Sequence, residues 1–109
     1  MREAVGIIVP DVKDGGGVWE LIKIAALAET HGIKVSPHNP SGPISTAVSA
    51  ALCAATPNFD ILEYQWGEQS WRNTLVEPSE SFHDGSIIIS DQPGFGIVLN
   101  EKVLEQHRL

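Results

Sequence analysis

The sequence predicts an α/β fold in which parallel strands alternate with helices. Short apolar runs that stop at or near proline alternate with segments in which apolar residues recur at helical spacing. An ionisable residue stands at or just after the end of each run, at positions 11, 38 and 63, so that successive ones are 27 and 25 residues apart. Residues 1–64 of the 109-residue chain are therefore predicted to form a strand-helix-strand-helix-strand unit with right-handed crossovers. A layered open sheet and part of a (β/α)8 barrel both fit this order, and a whole barrel needs about 250 residues.

The first strand is predicted over residues 4–9, where an uninterrupted apolar run stops at Pro10. Such a run is typical of a strand that is covered on both faces. After three glycines at 15–17, apolar residues recur at helical spacing from Val18 onward. Gly32 suits the position just after the last helical turn, because glycine adopts a positive φ without steric cost.

The same cycle then repeats with shorter elements. A second strand is predicted over 33–36, and a helix of small residues over 44–55. Pro43 suits the first helical position, where its missing N–H costs nothing. One stripe of this helix, which includes Ala47 and Leu52, is predicted to face the sheet. Residues 59–64 form the third predicted strand.

Residues 65–109 are predicted to form a tail of different character, so that the chain is a single incomplete domain. The tail is predicted to contain a loop over 65–79, a hairpin over 82–89 that turns at Asp84-Gly85, a strand over 97–99, and a helix over 101–107 capped by Asn100.

Composition excludes several classes of protein. Seven Lys and Arg stand against fourteen Asp and Glu, a net charge of −7, and no basic cluster is present to meet phosphates, so we expect no nucleic-acid partner. No apolar run approaches the ~20 residues of a membrane span. The segment 1–4 lacks the apolar stretch of a signal peptide, and one cysteine cannot form an intrachain disulfide. We therefore expect a cytoplasmic protein without a membrane partner.

Three ionisable residues, Asp11, His38 and Glu63, fall at or just after the ends of the three predicted strands. Active sites of α/β sheets and barrels are built at this carboxyl edge. Structural roles remain open for each residue: Asp11 as a turn or capping residue, His38 as a loop hydrogen-bonding group, and Glu63 as a partner of Arg72 or Lys34. The repeat spacing of all three favours a shared site.

Weaker candidates lie elsewhere. The glycines at 15–17 precede a helix, whose free N–H groups bind anions in other proteins. Cys53 sits among small residues and is predicted to fill the core. Trp66 and Trp71 follow the third strand, where they either pack or contact a substrate.

Several segments resemble, in order, the mandelate racemase/muconate lactonizing enzyme family of the enolase superfamily. The matching segments are residues 9–17, 23–29, 36–43, 62–64 and 93–97. The resemblance covers essentially the whole chain. It implies the last three strands of a modified (β/α)8 barrel, followed by the tail that folds back on a smaller capping domain.

The resemblance also implies residue roles. Asp11 and His38 are similar to the His–Asp dyad of the mandelate racemase subgroup, and Glu63 to the glutamate that hydrogen-bonds the substrate carboxylate. Asn39 and Trp66 are predicted to contact the substrate. The context of His38 and Glu63 is most similar to acid-sugar dehydratases of the galactonate type. Their reaction removes a proton α to a carboxylate and yields a 2-keto-3-deoxy acid.

Alternatives and auxiliary components follow from the same resemblance. Two alternatives remain open: a racemase or epimerase of a 2-hydroxy acid or a related carboxylate, and a non-catalytic partial barrel. The family's Mg2+ is held by carboxylates of the third to fifth strands, so no metal ligand is predicted within this chain. We expect a homo-oligomeric parent enzyme and an inactive isolated 109-residue chain.

Overall fold

The computed structural model of the protein describes residues 4–108. Residues 1–3 and 109, which belong to the predicted units 1–64 and 65–109, lie outside the described residues. Helices and strands follow in the order β1 (Ile7–Ile8), α1 (Val18–Glu29), β2 (Lys34–Val35), α2 (Pro43–Ala54), a 3₁₀ turn (Arg72–Thr74), β3 (Val76–Glu77), β4 (Phe82–His83), β5 (Ser86–Ile87), β6 (Val98–Leu99) and α3 (Glu101–Gln106).

The first two strands pair in parallel, as the alternating order predicts. Ile7 and Ile8 of β1 lie opposite Lys34 and Val35 of β2. The pairing resumes beyond the strands, where the backbone N–H of His38 donates to the carbonyl of Pro10 over 3.1 Å. The carboxyl ends of both strands therefore lie at one edge of the sheet.

The third predicted strand, residues 59–64, does not form a continuous ladder. A parallel bridge joins Phe59 to Val35. Further on, the backbone N–H of Glu63 donates to the carbonyl of Pro37 over 3.3 Å. Proline has no N–H to return, so the ladder is interrupted, although the segment still runs alongside β2 and brings Glu63 to its carboxyl end.

The helix α1 confirms the predicted helical period. Leu21, Ala25 and Ala28 are buried on one face, where Leu21 packs in a core cluster with Leu52. Gly32 follows the helix with a φ of 67°. A side chain would be strained in this left-handed conformation, which explains the glycine after the last turn.

The helix α2 begins at Pro43, as expected, and the predicted stripe is only part of its buried face: Leu52 is buried in the core, but hydroxyl-bearing residues outside the stripe are buried too. Thr46 and Ser49 are fully buried, whereas Ala47 is only partly covered. Arg72 of the tail donates a hydrogen bond to Thr46 on this face, a contact that the spacing of apolar residues does not predict. Among residues 4–108, no helix is both long and apolar enough to cross a membrane.

The tail contains the predicted hairpin. β4 and β5 are antiparallel, with Phe82 opposite Ile87. Asp84 and Gly85 connect them with φ values of 47° and 75°. Two successive positive φ angles are typical of the two-residue turn that matches the twist of paired strands.

The predicted loop over 65–79 is wrong in part, because it contains the 3₁₀ turn and strand β3. β3 pairs antiparallel with β6, so that Val76 lies opposite Leu99. The two paired strands are more than twenty residues apart in the chain, and local turn signals do not reveal their pairing.

Asn100 caps α3 as predicted: its side-chain oxygen accepts the backbone N–H of Val103 over 3.3 Å.

Candidate active site

Asp11 and His38 meet at the carboxyl edge of the β1–β2 pair. The two residues form a parallel bridge through their backbones. Their side chains also meet, with His38 Nδ1 3.1 Å from Asp11 Oδ2. The Asp11 side chain is nearly covered, whereas that of His38 is 46% exposed. The structure thus joins the two predicted residues into a hydrogen-bonded pair that opens to solvent on the histidine side.

Asp11 is held in its ionised form by its own loop. Its Oδ1 accepts the backbone N–H of Lys13 over 2.7 Å, and the Lys13 ammonium lies 3.7 Å from Oδ2. Burial raises the pKa of Asp11, but the hydrogen bonds from Lys13 and His38 outweigh it. The pKa of this carboxyl therefore lies below its ordinary value of 3.8.

The glycine run after Asp11 shapes this loop rather than an anion site. The N–H of Gly15 donates to the carbonyl of Asp11 over 2.7 Å, and that of Gly17 to the carbonyl of Val12 over 3.0 Å. A Cβ at Gly15 would lie 2.7 Å from the Asp11 carbonyl oxygen, so a side chain cannot be added without moving the backbone. These two N–H groups are bonded internally and are not presented to a ligand.

Glu63 completes the predicted group from the other side of the imidazole. Its Oε2 lies 3.7 Å from His38 Nε2 and accepts the backbone N–H of Asn39 over 3.0 Å. The alternative partners of Glu63 pair elsewhere. Lys34 donates to Asp60 over 2.6 Å, and Arg72 donates to Glu80.

The arrangement allows proton exchange at one defined atom. With a proton on Nδ1, the His38 ring donates to Asp11, and this contact fixes the orientation of the ring. Nε2 then faces Glu63 and the solvent-exposed side. An imidazole held in this way can accept or donate a proton at Nε2.

The two predicted substrate contacts lie in different environments. The Asn39 side chain is fully buried, and its Nδ2 donates to Thr46 Oγ1 over 2.9 Å and to the Glu63 carbonyl over 3.1 Å. Trp66 is 81% exposed, with its ring centroid 6.1 Å from that of Tyr64. Trp66 is thus accessible to a ligand, whereas Asn39 is bonded within the protein.

Sequence reasoning missed the role of Arg72. This buried side chain donates to both oxygens of Glu80, over 2.8 and 2.7 Å, to the carbonyl of Ser41, and to Thr46 Oγ1 over 2.9 Å. Its hydrogen bond with Glu80 raises the pKa of Arg72, so the guanidinium stays charged. The guanidinium also lies 4.8 Å from the centre of the Tyr64 ring. No local pattern signals these contacts, because Ser41 precedes Arg72 by 31 residues.

Cys53 fills the core as predicted. The residue is buried, and burial raises the pKa of its thiol to about 12. A protonated thiol is a weak nucleophile, so Cys53 takes no part in the chemistry of the site.

The described residues do not by themselves fit a divalent metal. Across residues 4–108, no three or more His, Cys, Asp or Glu side chains come together as a ligand set. Hard cations need several oxygen ligands. Asp11 and Glu63 both contact the imidazole instead.

Comparison with known proteins places the chain in a family. The family model described as enolase C-terminal domain-like matches residues 1–103. The chain belongs to this family. Its strands and the Asp11–His38 pair are therefore part of an α/β fold of the kind found in the barrel of mandelate racemase and muconate lactonizing enzymes, whose names several matching structures carry.

Two relatives of this enolase-like chain are named as acid-sugar dehydratases. D-xylonate dehydratase of Haloferax volcanii is 41% identical over 96% of the chain, and D-galactonate dehydratase of Xanthomonas campestris is 34% identical over 94%. The chain spans 26% and 28% of the length of these relatives, respectively.

Solved structures share the fold. A Burkholderia xenovorans protein, provisionally named L-alanine-DL-glutamate epimerase and bound to magnesium and fumarate, matches with a TM-score of 0.88 at 36% identity. The match covers 95% of this chain and 26% of that protein.

Proposed function

We propose that this chain contributes His38, Asp11 and Glu63 to the active site of an acid-sugar dehydratase. The observation that carries the proposal is the position of the His38 ring between Asp11 and Glu63, with each ring nitrogen beside one carboxylate. Relatives named for dehydration of D-xylonate and D-galactonate support the substrate class.

In the proposed reaction, His38 moves a proton at Nε2. Dehydration of a sugar acid removes the proton α to the carboxylate and expels the β-hydroxyl as water. His38 takes the α proton or protonates the leaving hydroxyl, and a positioned general acid or base contributes about 10²–10⁴-fold to the rate. Asp11 keeps the ring in one orientation through Nδ1 and stabilises the imidazolium that forms.

Glu63 would act where negative charge develops. Its side chain is about half exposed, so it reaches the open side of the site, and the Asn39 N–H already holds Oε2. We propose that Glu63, when its carboxyl carries a proton, donates a hydrogen bond to the oxygen of the enolate. Such a contact lowers the barrier because it strengthens as charge accumulates in the transition state.

Magnesium enters the proposal as a component held by other residues. The magnesium bound by the Burkholderia xenovorans protein supports a metal-dependent parent enzyme. The described side chains do not form a magnesium site, so the proton transfer by His38 and the contact of Glu63 with the enolate involve only groups of this chain. When bound, a divalent cation stabilises the negative charge of an enolate.

A racemase or epimerase is the second candidate, because the same pair of residues could return a proton to the α carbon. The provisional epimerase name of a structurally similar protein favours it. A non-catalytic partial barrel is the third, because the chain spans about a quarter of its relatives.

An assay of the protein at its natural length separates these candidates. It is incubated with Mg2+ and either D-xylonate or D-galactonate in D2O. A dehydratase forms a 2-keto-3-deoxy acid, which semicarbazide detects. A racemase returns deuterium at the α carbon of the recovered acid without forming a keto acid, and a non-catalytic protein does neither.

A further inference from the structure

A chain of hydrogen bonds that passes through the buried side chains of Thr46 and Asn39 links the tail of the molecule to Glu63. It begins at Arg72, whose Nη2 donates to Thr46 Oγ1 over 2.9 Å. The same hydroxyl oxygen accepts from Asn39 Nδ2 over 2.9 Å. Asn39 in turn donates through Nδ2 to the carbonyl of Glu63 over 3.1 Å, and through its backbone N–H to Oε2 over 3.0 Å.

The Thr46 hydroxyl is saturated in this chain of contacts. It accepts two hydrogen bonds, from Asn39 and Arg72, and donates a third to the carbonyl of Gly42 over 3.2 Å. A hydroxyl offers one donor and two acceptor sites, so no capacity remains. Both Thr46 and Asn39 are fully buried, so water cannot readily replace either partner.

We propose that Thr46 and Arg72 are positioning residues that orient Glu63 through Asn39. This inference rests on the proposed function, because Glu63 is there the group that meets the enolate. Asn39 holds the Glu63 carbonyl through its side chain and the Glu63 carboxylate through its backbone N–H, so a shift of the whole residue after loss of its side-chain contacts also displaces the carboxylate. The role that we assign to Asn39 is therefore to hold Glu63, in place of the predicted contact with substrate.

The Asn39 N–H reports directly on this geometry. It is bonded to the Glu63 carboxylate, so its hydrogen exchange slows when that carboxylate is in place. We propose to measure exchange of this amide by mass spectrometry with residue-level fragmentation. The measurement uses the protein at its natural length and needs neither substrate nor activity. The variant Glu63→Ala gives the exchange rate of the Asn39 amide when its hydrogen bond to the Glu63 carboxylate is absent.

Thr46→Val tests the link, because valine keeps the shape of threonine and removes its hydroxyl. We expect the Asn39 amide to exchange about tenfold faster or more in this variant, as suits the loss of a hydrogen bond to a charged group. Thr46→Ser, which keeps the hydroxyl, should stay near the wild-type rate. The matched control is Thr56→Val, because the Thr56 hydroxyl bonds to the carbonyl of Leu52 at the far end of α2.

An unchanged Asn39 rate in Thr46→Val would overturn the proposal. Faster exchange of amides throughout the protein would mean that this variant unfolds, and Arg72→Lys would then decide. Lysine keeps a positive charge beside Glu80, but it cannot reach both Thr46 and Ser41 with one ammonium group. Faster Asn39 exchange in Arg72→Lys supports the proposal, and an unchanged rate overturns it.

Kinetics separate this inference from the proposed function. If both hold, Thr46→Val lowers kcat by about tenfold to a hundredfold through misplacement of Glu63, with KM little changed, and Thr46→Ser restores it. If the exchange result holds and the protein has no activity on sugar acids, the positioning role stands and the proposed function fails.

Discussion

The Nδ1 atom of His38 lies 3.1 Å from Oδ2 of Asp11. The backbones of the same two residues form a parallel bridge. The side-chain contact thus follows from the strand register, because residues paired across adjacent strands project on the same side of the sheet. Nε2 of the same ring lies 3.7 Å from Glu63 Oε2. Three segments that follow one another in the chain therefore orient a single imidazole.

Replacement of His38 tests the proposed proton transfer. In the protein at its natural length, we expect His38→Asn to lower turnover of a sugar acid by about 10²–10⁴-fold. Substrate binding should persist, because the lost step is proton transfer. Steady-state kinetics and calorimetric titration measure the two effects. His31→Asn, at an exposed histidine beyond α1, should leave both unchanged, and near-normal turnover in His38→Asn would refute the assignment.

Asp11 should make the free energy of unfolding depend on pH in the acidic range. Its pKa in the folded protein lies below the ordinary value of 3.8, so folding favours the ionised form. The stabilisation by ionised Asp11 is fully present above the pKa that this residue has in the unfolded chain. It is lost as the pH falls through the lower pKa that the residue has in the folded protein. We expect the free energy of urea unfolding to fall more steeply in the wild type than in Asp11→Asn between about pH 5 and about pH 3. Parallel curves for the two proteins would contradict this prediction.

The buried Arg72–Glu80 pair should contribute far more to stability than an exposed pair. Removal of one partner leaves an uncompensated buried charge, so we expect Arg72→Ala to cost about 3–5 kcal/mol. Lys34→Ala, which breaks the exposed pair with Asp60, should cost about 0.2–1 kcal/mol. Denaturant unfolding measures both values. Similar costs for the two variants would show that Arg72 is not desolvated in solution.

Cys53 should resist alkylation in the folded protein. Burial raises the pKa of its thiol to about 12, so the thiolate is scarce at neutral pH and is also covered. We expect iodoacetamide to label the protein at a negligible rate until denaturant is added. Labelling is followed by mass spectrometry, and free cysteine serves as the control. Rapid modification under native conditions would place Cys53 at an accessible surface.

The isolated 109-residue chain should associate and lack activity. Val9 and Ile61 are 62% and 66% exposed beside the unpaired edges of the three-segment sheet. Exposed edges and apolar side chains promote association. We expect size-exclusion chromatography to show oligomers, calorimetry to show no tight binding of magnesium, and assays with sugar acids to show no turnover. A cooperatively melting monomer with micromolar magnesium affinity and activity would contradict this prediction.

Local signals in the sequence were sufficient to predict much of the fold. Pro43 and Asn100 mark the starts of α2 and α3, Gly32 follows the end of α1, and Asp84-Gly85 forms the hairpin turn. Each of these depends on the conformational preference of one or two residues. The shared edge of Asp11, His38 and Glu63 was also predictable, because their repeat spacing matches the strand-helix period.

The sequence by itself thus determined the order of the elements and the three residues at the strand ends. Only the tertiary structure decided what surrounds those residues. Pro37 interrupts the third strand, the hydroxyl face of α2 is buried, and Arg72 reaches Thr46 across 26 residues. Propensity and periodicity act over a few neighbouring residues, whereas these contacts depend on desolvated charges and hydroxyls finding partners in distant parts of the chain. The orientation of Glu63 therefore depends on packing that no local pattern encodes.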